Sequence, residues 1–126
     1  MQLTMLKCKL HRATVTEANL NYEGSITIGR NLCDAAGLNA NEKVDIYNCD
    51  NGNRLATYVI PGDDGVICLN GAAARLVSEG DKVIICSYGM LDDKEVSSHK
   101  PTVIFVDENN KVKDIKNQEK AKTVSI

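Results

Sequence analysis

Tryptophan is absent from this 126-residue chain, phenylalanine occurs once and proline twice. A core without large rings has to be built from Val, Ile, Leu and Ala, and their recurrence in short runs favours strands over long helices. No window reaches the apolar length that a membrane helix needs, and the first ten residues lack the greasy stretch of a secretion signal, so a soluble, cytoplasmic protein is expected. Basic excess is missing too: 15 Lys and Arg stand against 17 Asp and Glu, for a net charge of −2. Spread along the chain, these cations leave no footprint for a phosphate backbone, which argues against nucleic acid as a partner. There is no C-x-x-C pair; Cys8, Cys33, Cys49, Cys68 and Cys86 are odd in number and widely spaced. They read as reduced thiols packed like small hydrophobes, with no metal site. The length suits a single domain over residues 1–126 with one modest core, so an active site must be economical or shared between subunits.

What is present reads as a mainly β chain with short helices. Leu6, Cys8 and Leu10 alternate with Lys7, Lys9 and His11, the period of a half-buried strand, which puts Lys9 and His11 on one face. Val44 to Asn48 leads through Asp50-Asn51-Gly52-Asn53 into Arg54 to Ile60, and Asn-Gly is a strong hairpin signal. On that second arm Arg54 and Tyr58 share a face and Thr57 takes the other. Val66 to Leu69 reads as a buried strand, Gly71 to Leu76 as a short helix with Asn70 placed to cap it, and Lys82 to Tyr88 and Thr102 to Asp107 as further strands. Leu91 to Lys100 reads as a polar loop or one helical turn. From about Lys111 the composition turns polar, which suggests a frayed strand and tail. Ala35-Ala36-Gly37-Leu38 followed by Glu42-Lys43-Val44-Asp45-Ile46 is echoed by Ala73-Ala74-Arg75-Leu76 followed by Asp81-Lys82-Val83-Ile84-Ile85. A pseudo-two-fold barrel and chance similarity both account for that echo.

Tyr22-Glu23-Gly24-Ser25, taken alone, is a turn, since Gly adopts positive φ without penalty. Its company changes the reading. Lys9-Leu10-His11-Arg12, Tyr22-Glu23-Gly24-Ser25, Asn51-Gly52, Arg54, Thr57-Tyr58 and Asn70-Gly71-Ala72-Ala73-Ala74, in this order and spacing, resemble the pyruvoyl-dependent aspartate 1-decarboxylase family. The resemblance covers roughly Met1 to Tyr88, more weakly Pro101 to Asp107. It implies a six-stranded double-psi β-barrel and a homotetramer with active sites between adjacent subunits.

The resemblance also implies a covalent cofactor made from the chain itself. The Ser25 hydroxyl attacks the Gly24 carbonyl, the amide becomes an ester, and β-elimination followed by hydrolysis leaves a pyruvoyl group at residue 25, with fragments 1–24 and 25–126. Thr57 would polarise or orient that carbonyl. L-aspartate, the implied substrate, would join the pyruvoyl ketone through a Schiff base, the electron sink that no protein side chain offers. Loss of CO2 then gives β-alanine for pantothenate biosynthesis. Arg54 would clamp a carboxylate with its planar guanidinium, and Lys9 would add a point charge. Tyr58, whose phenol neighbouring cations can acidify, would return the proton to Cα. Thr57, Asn70, Gly71, Ala72 and Ala73 would line the substrate pocket, the last four offering a side-chain amide and free backbone N–H groups. His11 and Tyr22 would play supporting parts; His99 has no such claim. Whether maturation is spontaneous or needs a helper protein is left open.

Two positions depart from the family's common pattern, Tyr47 and Cys8, and the tail after Lys111 matches poorly. Two other classes fit parts of the chain: a non-catalytic β-barrel used for binding or assembly, and, more distantly, a barrel-type DNA-binding regulator, which the acidic balance disfavours.

Overall fold

A computed structural model describes residues 1–124; Ser125 and Ile126, the end of the expected tail, lie outside the described residues. The strands are β1 (Gln2–Thr14), β2 (Glu17–Asn19), β3 (Ile26–Gly29), β4 (Lys43–Asn48), β5 (Arg54–Gly62), β6 (Ile67–Asn70), β7 (Lys82–Asp92), β8 (Thr102–Val106) and β9 (Val112–Lys116). One α-helix, α1 (Arg30–Ala36), and 3-10 helices at Gly71–Leu76 and Asp93–Ser98 complete the set. The expected strands are present, and the stretch read as a polar loop or helical turn is the end of β7 plus a 3-10 helix.

The strands hydrogen-bond in the order β2-β6-β3-β5-β4-β7-β1-β8-β9. The mainly β expectation holds, whereas the described pairings do not close on themselves and do not single out a double-psi barrel. The internal echo acquires a spatial counterpart. Both β3-α1-β4 and β6-(3-10 helix)-β7 run strand, short helix, strand, and each strand pairs antiparallel with its counterpart, β3 with β6 and β4 with β7. A local two-fold axis between the halves requires that arrangement.

On β1 the period of two survives as buried Cys8 and Leu10 between part-exposed Lys7, Lys9 and His11. It breaks at Arg12, whose φ of 63° and the register shift between Leu10 and Ala13 mark a bulge. Leu10, Ile26, Ile28, Leu32, Ile46, Ile67, Leu69, Ile85 and Ile104 are fully buried and share one aliphatic core. Four of the five thiols are buried, all five are free, and Cys49 is the exception to the packing expectation because it falls in the exposed β4-β5 loop. That loop is a five-residue connection over the Asn-Gly pair, with Gly52 at φ 77°. Asn48, Asn51 and Asn53 each donate a side-chain N–H to the Leu76 carbonyl at 3.2–3.3 Å, which ties the hairpin to the end of the Gly71–Leu76 helix.

One polar cluster joins three elements. Lys7 Nζ on β1 donates to the Gly37 carbonyl at 2.8 Å and to both Glu42 oxygens at 2.9 Å. Ser87 Oγ on β7 and Asn39 also donate to Glu42. Burial works against the Glu42 charge, but these hydrogen bonds outweigh it and hold the carboxyl at about 2, below the ordinary 4.5. A depressed folded pKa stabilises the fold above the ordinary value, and that stabilisation is lost as pH falls from there through 2. Glu42→Gln is expected to lower unfolding free energy by about 2 kcal/mol at pH 7, with the gap to the parent closing between pH 4.5 and 2 in urea titrations. A gap independent of pH would contradict this account.

Candidate active site

Gly24 ends the turn that feeds β3. Its φ is 84°, and a Cβ built there would lie 2.9 Å from Ile60 Cγ1, so both the conformation and the lack of room demand glycine. Ser25 follows directly, its carbonyl accepting the Asn70 N–H at 2.8 Å. β3 is pinned on both edges: Ile26 pairs with Val59 in parallel β5 and with Leu69 in antiparallel β6. The sequence therefore delivers Gly24 and Ser25 to the place where β5 and β6 flank the strand's start.

There the chain forms a cavity of about 310 Å³, lined by Gly24, Ser25, Thr57, Asn70, Gly71, Ala72 and Ala73 among others. Seven residues proposed from sequence thus share one wall. Leu55, Ala56 and Leu76 complete it without having been singled out. Asn70 needs a correction: it stands at the N-cap position, but its side chain makes no cap hydrogen bond. Instead Nδ2 donates to Thr27 Oγ1 at 3.0 Å and Oδ1 accepts from Cys68 Sγ at 2.9 Å. A backbone at φ −112°, ψ 153° and a 3-10 rather than α-helical turn go with that different use of the amide. Gly71, at φ 60°, lies under the Tyr22 carbonyl, which would sit 3.7 Å from an added Cβ. The Tyr22 ring itself is exposed.

Arg54 and Tyr58 do share the outer face of β5, with Leu55, Thr57 and Val59 alternating inward. Both are exposed, and neither lines the Ser25 cavity. The Arg54 guanidinium lies over the Tyr47 ring, 4.6 Å from its centre, and the Tyr47 hydroxyl hydrogen-bonds the Tyr88 hydroxyl at 3.0 Å. That bond, reinforced by burial, raises the Tyr88 pKa. Tyr47 was visible in the sequence as a departure in packing alone. No periodic signal joins it to Tyr88 on β7.

Lys9 and His11 line a second cavity of about 560 Å³ with Arg12, Phe105 and tail residues including Lys116, Glu119 and Lys120. Lys9 Nζ is paired with Glu119 at 2.9 Å. The His11 ring meets Phe105 edge-on at 5.3 Å, and neither ring nitrogen has a hydrogen-bond partner. Burial first, then repulsion from Lys9 and Arg12, pushes its pKa down and favours the neutral imidazole. His99 lines neither cavity and bonds the Leu6 carbonyl through Nε2 at 2.6 Å. The sequence-derived set is thus split three ways within one chain: cleavage-site residues in one cavity, Arg54 and Tyr58 on an open face, Lys9 and His11 in another cavity.

Residues 1–113 match the model of a family described as aspartate decarboxylase. The chain is 62% identical over 126 residues to a protein named aspartate 1-decarboxylase from Bacillus velezensis, covering 98% of this chain and 99% of that one. It is 60% identical to the protein of that name from Bacillus subtilis, with the same coverage. A third, from Clostridium kluyveri, is 60% identical over 122 residues, 95% of this chain and 96% of its own length. The tail that matches the common pattern poorly is included in the two Bacillus alignments almost to its end.

Gly24→Ala, made in a Ser25→Ala background that keeps the backbone whole, is expected to cost about 2 kcal/mol in unfolding free energy, for the strained φ and the clash with Ile60. Urea denaturation checks it. A neutral substitution would mean that the turn and Ile60 shift freely to accept a side chain at residue 24.

Proposed function

The chain belongs to the aspartate decarboxylase family, and from that premise we propose that it removes the α-carboxyl group of L-aspartate after cutting its own backbone between Gly24 and Ser25. The observation that carries this reading is the shared cavity of Gly24, Ser25, Thr57 and Asn70 around a glycine whose positive φ and lack of room for a Cβ disfavour other residues. A serine hydroxyl is a weak nucleophile and an amide a weak electrophile, so cleavage depends on holding the two together and polarising the carbonyl. The turn at Gly24 supplies the first requirement, and Thr57 is the hydroxyl placed to supply the second. Oγ of Ser25 adds to the Gly24 carbonyl carbon and its nitrogen is expelled, giving an ester. Loss of the Ser25 Cα proton then releases Gly24 as a carboxylate, and water replaces the residual imine nitrogen, which leaves as ammonia.

The residues present fit a pyruvoyl group at position 25, because the walls contributed by Gly71, Ala72 and Ala73 are small and leave the cavity open. That ketone supplies the electron sink for the carbanion left when CO2 departs. The remaining work falls to side chains. Arg54 holds a substrate carboxylate through its planar fork, with Tyr47 beneath it fixing the plane. Lys9 offers a second cation, and its pairing with Glu119 supports its fitness for a carboxylate. Tyr58 delivers the proton to Cα, and His11 and Tyr22 support these groups. Since Arg54, Tyr58 and Lys9 lie away from the Ser25 cavity of their own chain, the complete site is assembled between copies, in a homotetramer. β-Alanine, the product, would feed pantothenate synthesis in the cytoplasm. Among the described residues no helix is long and apolar enough to cross a bilayer. A non-catalytic barrel would need none of Ser25, Tyr58 or Arg54, and nothing in the relatives' names favours it.

Intact-mass spectrometry of the purified protein after warming is expected to show fragments 1–24 and 25–126, the larger without an N-terminal amine and carrying a carbonyl. One full-length species after long incubation, in buffer and in lysate, would overturn self-processing; cleavage in lysate alone would indicate a maturation factor. Ser25→Ala should stay whole and inactive. Tyr58→Phe should cleave like the parent while kcat falls about 100-fold or more, the usual weight of a positioned acid.

A further inference from the structure

We infer that Thr27 and Cys68 are positioning residues for the Gly24–Ser25 cleavage, acting through the Asn70 carboxamide, in a network that Gly62 makes room for. The inference rests on the self-cleavage reading above and adds to it the groups that set one wall of the cavity.

The geometry follows from register. Thr27 and Cys68 are directly opposed in the antiparallel β3-β6 pair, and Asn70, two residues beyond Cys68, returns to the same face. Side chains so placed lie within reach of one another. Asn70 is 3% exposed, and each end of its amide has a partner of the right kind: Nδ2 donates to Thr27 Oγ1 at 3.0 Å, and Oδ1 accepts from Cys68 Sγ at 2.9 Å. In this orientation the amide N–H meets the better acceptor, the Thr27 oxygen, and the amide oxygen takes the thiol proton, whereas a flipped amide would leave an N–H against a weakly accepting sulfur. Burial, then the charge of Glu17, raises the Cys68 pKa, which keeps the sulfur protonated and able to donate. The Asn70 main chain is fixed as well, through its N–H to the Ser25 carbonyl. Asn70 therefore joins Ser25, one of the two residues of the bond to be cut, to a side-chain lock behind it, and it lines the cavity itself.

Thr27 is itself held. A Cβ at Gly62 would lie 2.3 Å from Thr27 Cγ2, so the threonine methyl occupies the space that any other residue at 62 would fill. A β-branched side chain has few χ1 choices, and filling that space with the methyl directs Oγ1 toward Asn70. Gly62 has no positive φ to explain it, unlike Gly24 or Gly52. Close approach of Thr27 is its explanation.

The test is a time course of fragment formation by intact mass for the parent, Thr27→Val, Thr27→Ser and Gly62→Ala, with thermal melts of each in a Ser25→Ala background. Thr27→Val keeps the shape and removes the acceptor; cleavage should slow at least about tenfold, the scale of a sub-ångström misplacement at a reacting bond. Thr27→Ser, which restores the hydroxyl, should return to within a few-fold of the parent, a rescue that packing alone would not give. Gly62→Ala should slow cleavage with Thr27 intact. Thr27→Val cleaving at the parent rate, or Thr27→Ser as slow as Thr27→Val, would overturn the inference. If Thr27→Val does not fold, the Cys68→Ala and Cys68→Ser pair carries the same comparison: alanine slow and serine near the parent supports it, equal rates overturn it. A parent that never cleaves overturns the underlying reading instead, so the two failures are distinct.

Discussion

β3 is four residues long and hydrogen-bonded on both edges, and the site depends on that constraint more than on any other. Parallel pairing with β5 and antiparallel pairing with β6 set the heights of Thr57 and Asn70 relative to the strand's first residues. A slip of one residue on either side would turn Ile26 and Ile28 out of the core and Thr27 into it. Because both isoleucines are fully buried, the aliphatic core enforces the register, and the register places Ser25. Packing and chemistry are coupled here through side-chain alternation rather than through any direct contact between the core and the reacting groups.

The polar groups divide by task in a way that this coupling makes intelligible. Those in or behind the cavity that holds Gly24 and Ser25, namely Thr57, Asn70, Thr27 and Cys68, are neutral and sit on β3, β5 and β6. A buried neutral network can be satisfied within one chain without the desolvation that ionised groups incur. The cations Lys9 and Arg54 instead keep to open or cavity-lining positions, each with a local partner, Glu119 for one and the Tyr47 ring for the other. On the proposed reading Arg54 would stay hydrated on its open face, and Lys9, only 16% exposed and paired with Glu119, would exchange that partner for a substrate carboxylate.

Much of the fold was legible because an aliphatic chain with few aromatics advertises its strands by alternation, as β1 and β5 do. The turns at Gly24 and Gly52 were legible for a local reason too, being glycines at positive φ. Pairing order was not, since nothing local in Ile26-Thr27-Ile28-Gly29 says that β5 and β6 will flank it. The part of the site that was missed shares this origin. Neither Thr27 nor Gly62 stood out, because the meaning of each lies in a partner 43 or 35 residues away, and Cys68, read as a small hydrophobe, gains its role only through Asn70's bond to Thr27. Asn70 was correctly placed and wrongly employed for the same cause: a capping role can be read from its neighbours in sequence, a bond to Thr27 cannot.

The topology also accounts for how a chain can be cut at residue 24 and keep its shape. The segment before the cut contains β1 and β2, and neither is a loose end. β1 lies inside the sheet, antiparallel to β7 along most of its length and parallel to β8 from Cys8 to His11, while β2 pairs with β6. Leu10, Ala13 and Val15 are buried in the common core. A segment held by ladders on both edges and by core burial would not depart when one peptide bond opens, so scission would cost little cohesion. Glycine adopts the positive φ at residue 24 without penalty and has no Cβ to meet Ile60, so the constraint there is on which residue can stand at the turn and is not a store of strain. Every pairing that would retain the N-terminal fragment lies away from the Gly24–Ser25 peptide, and that is the arrangement a single irreversible cut would require.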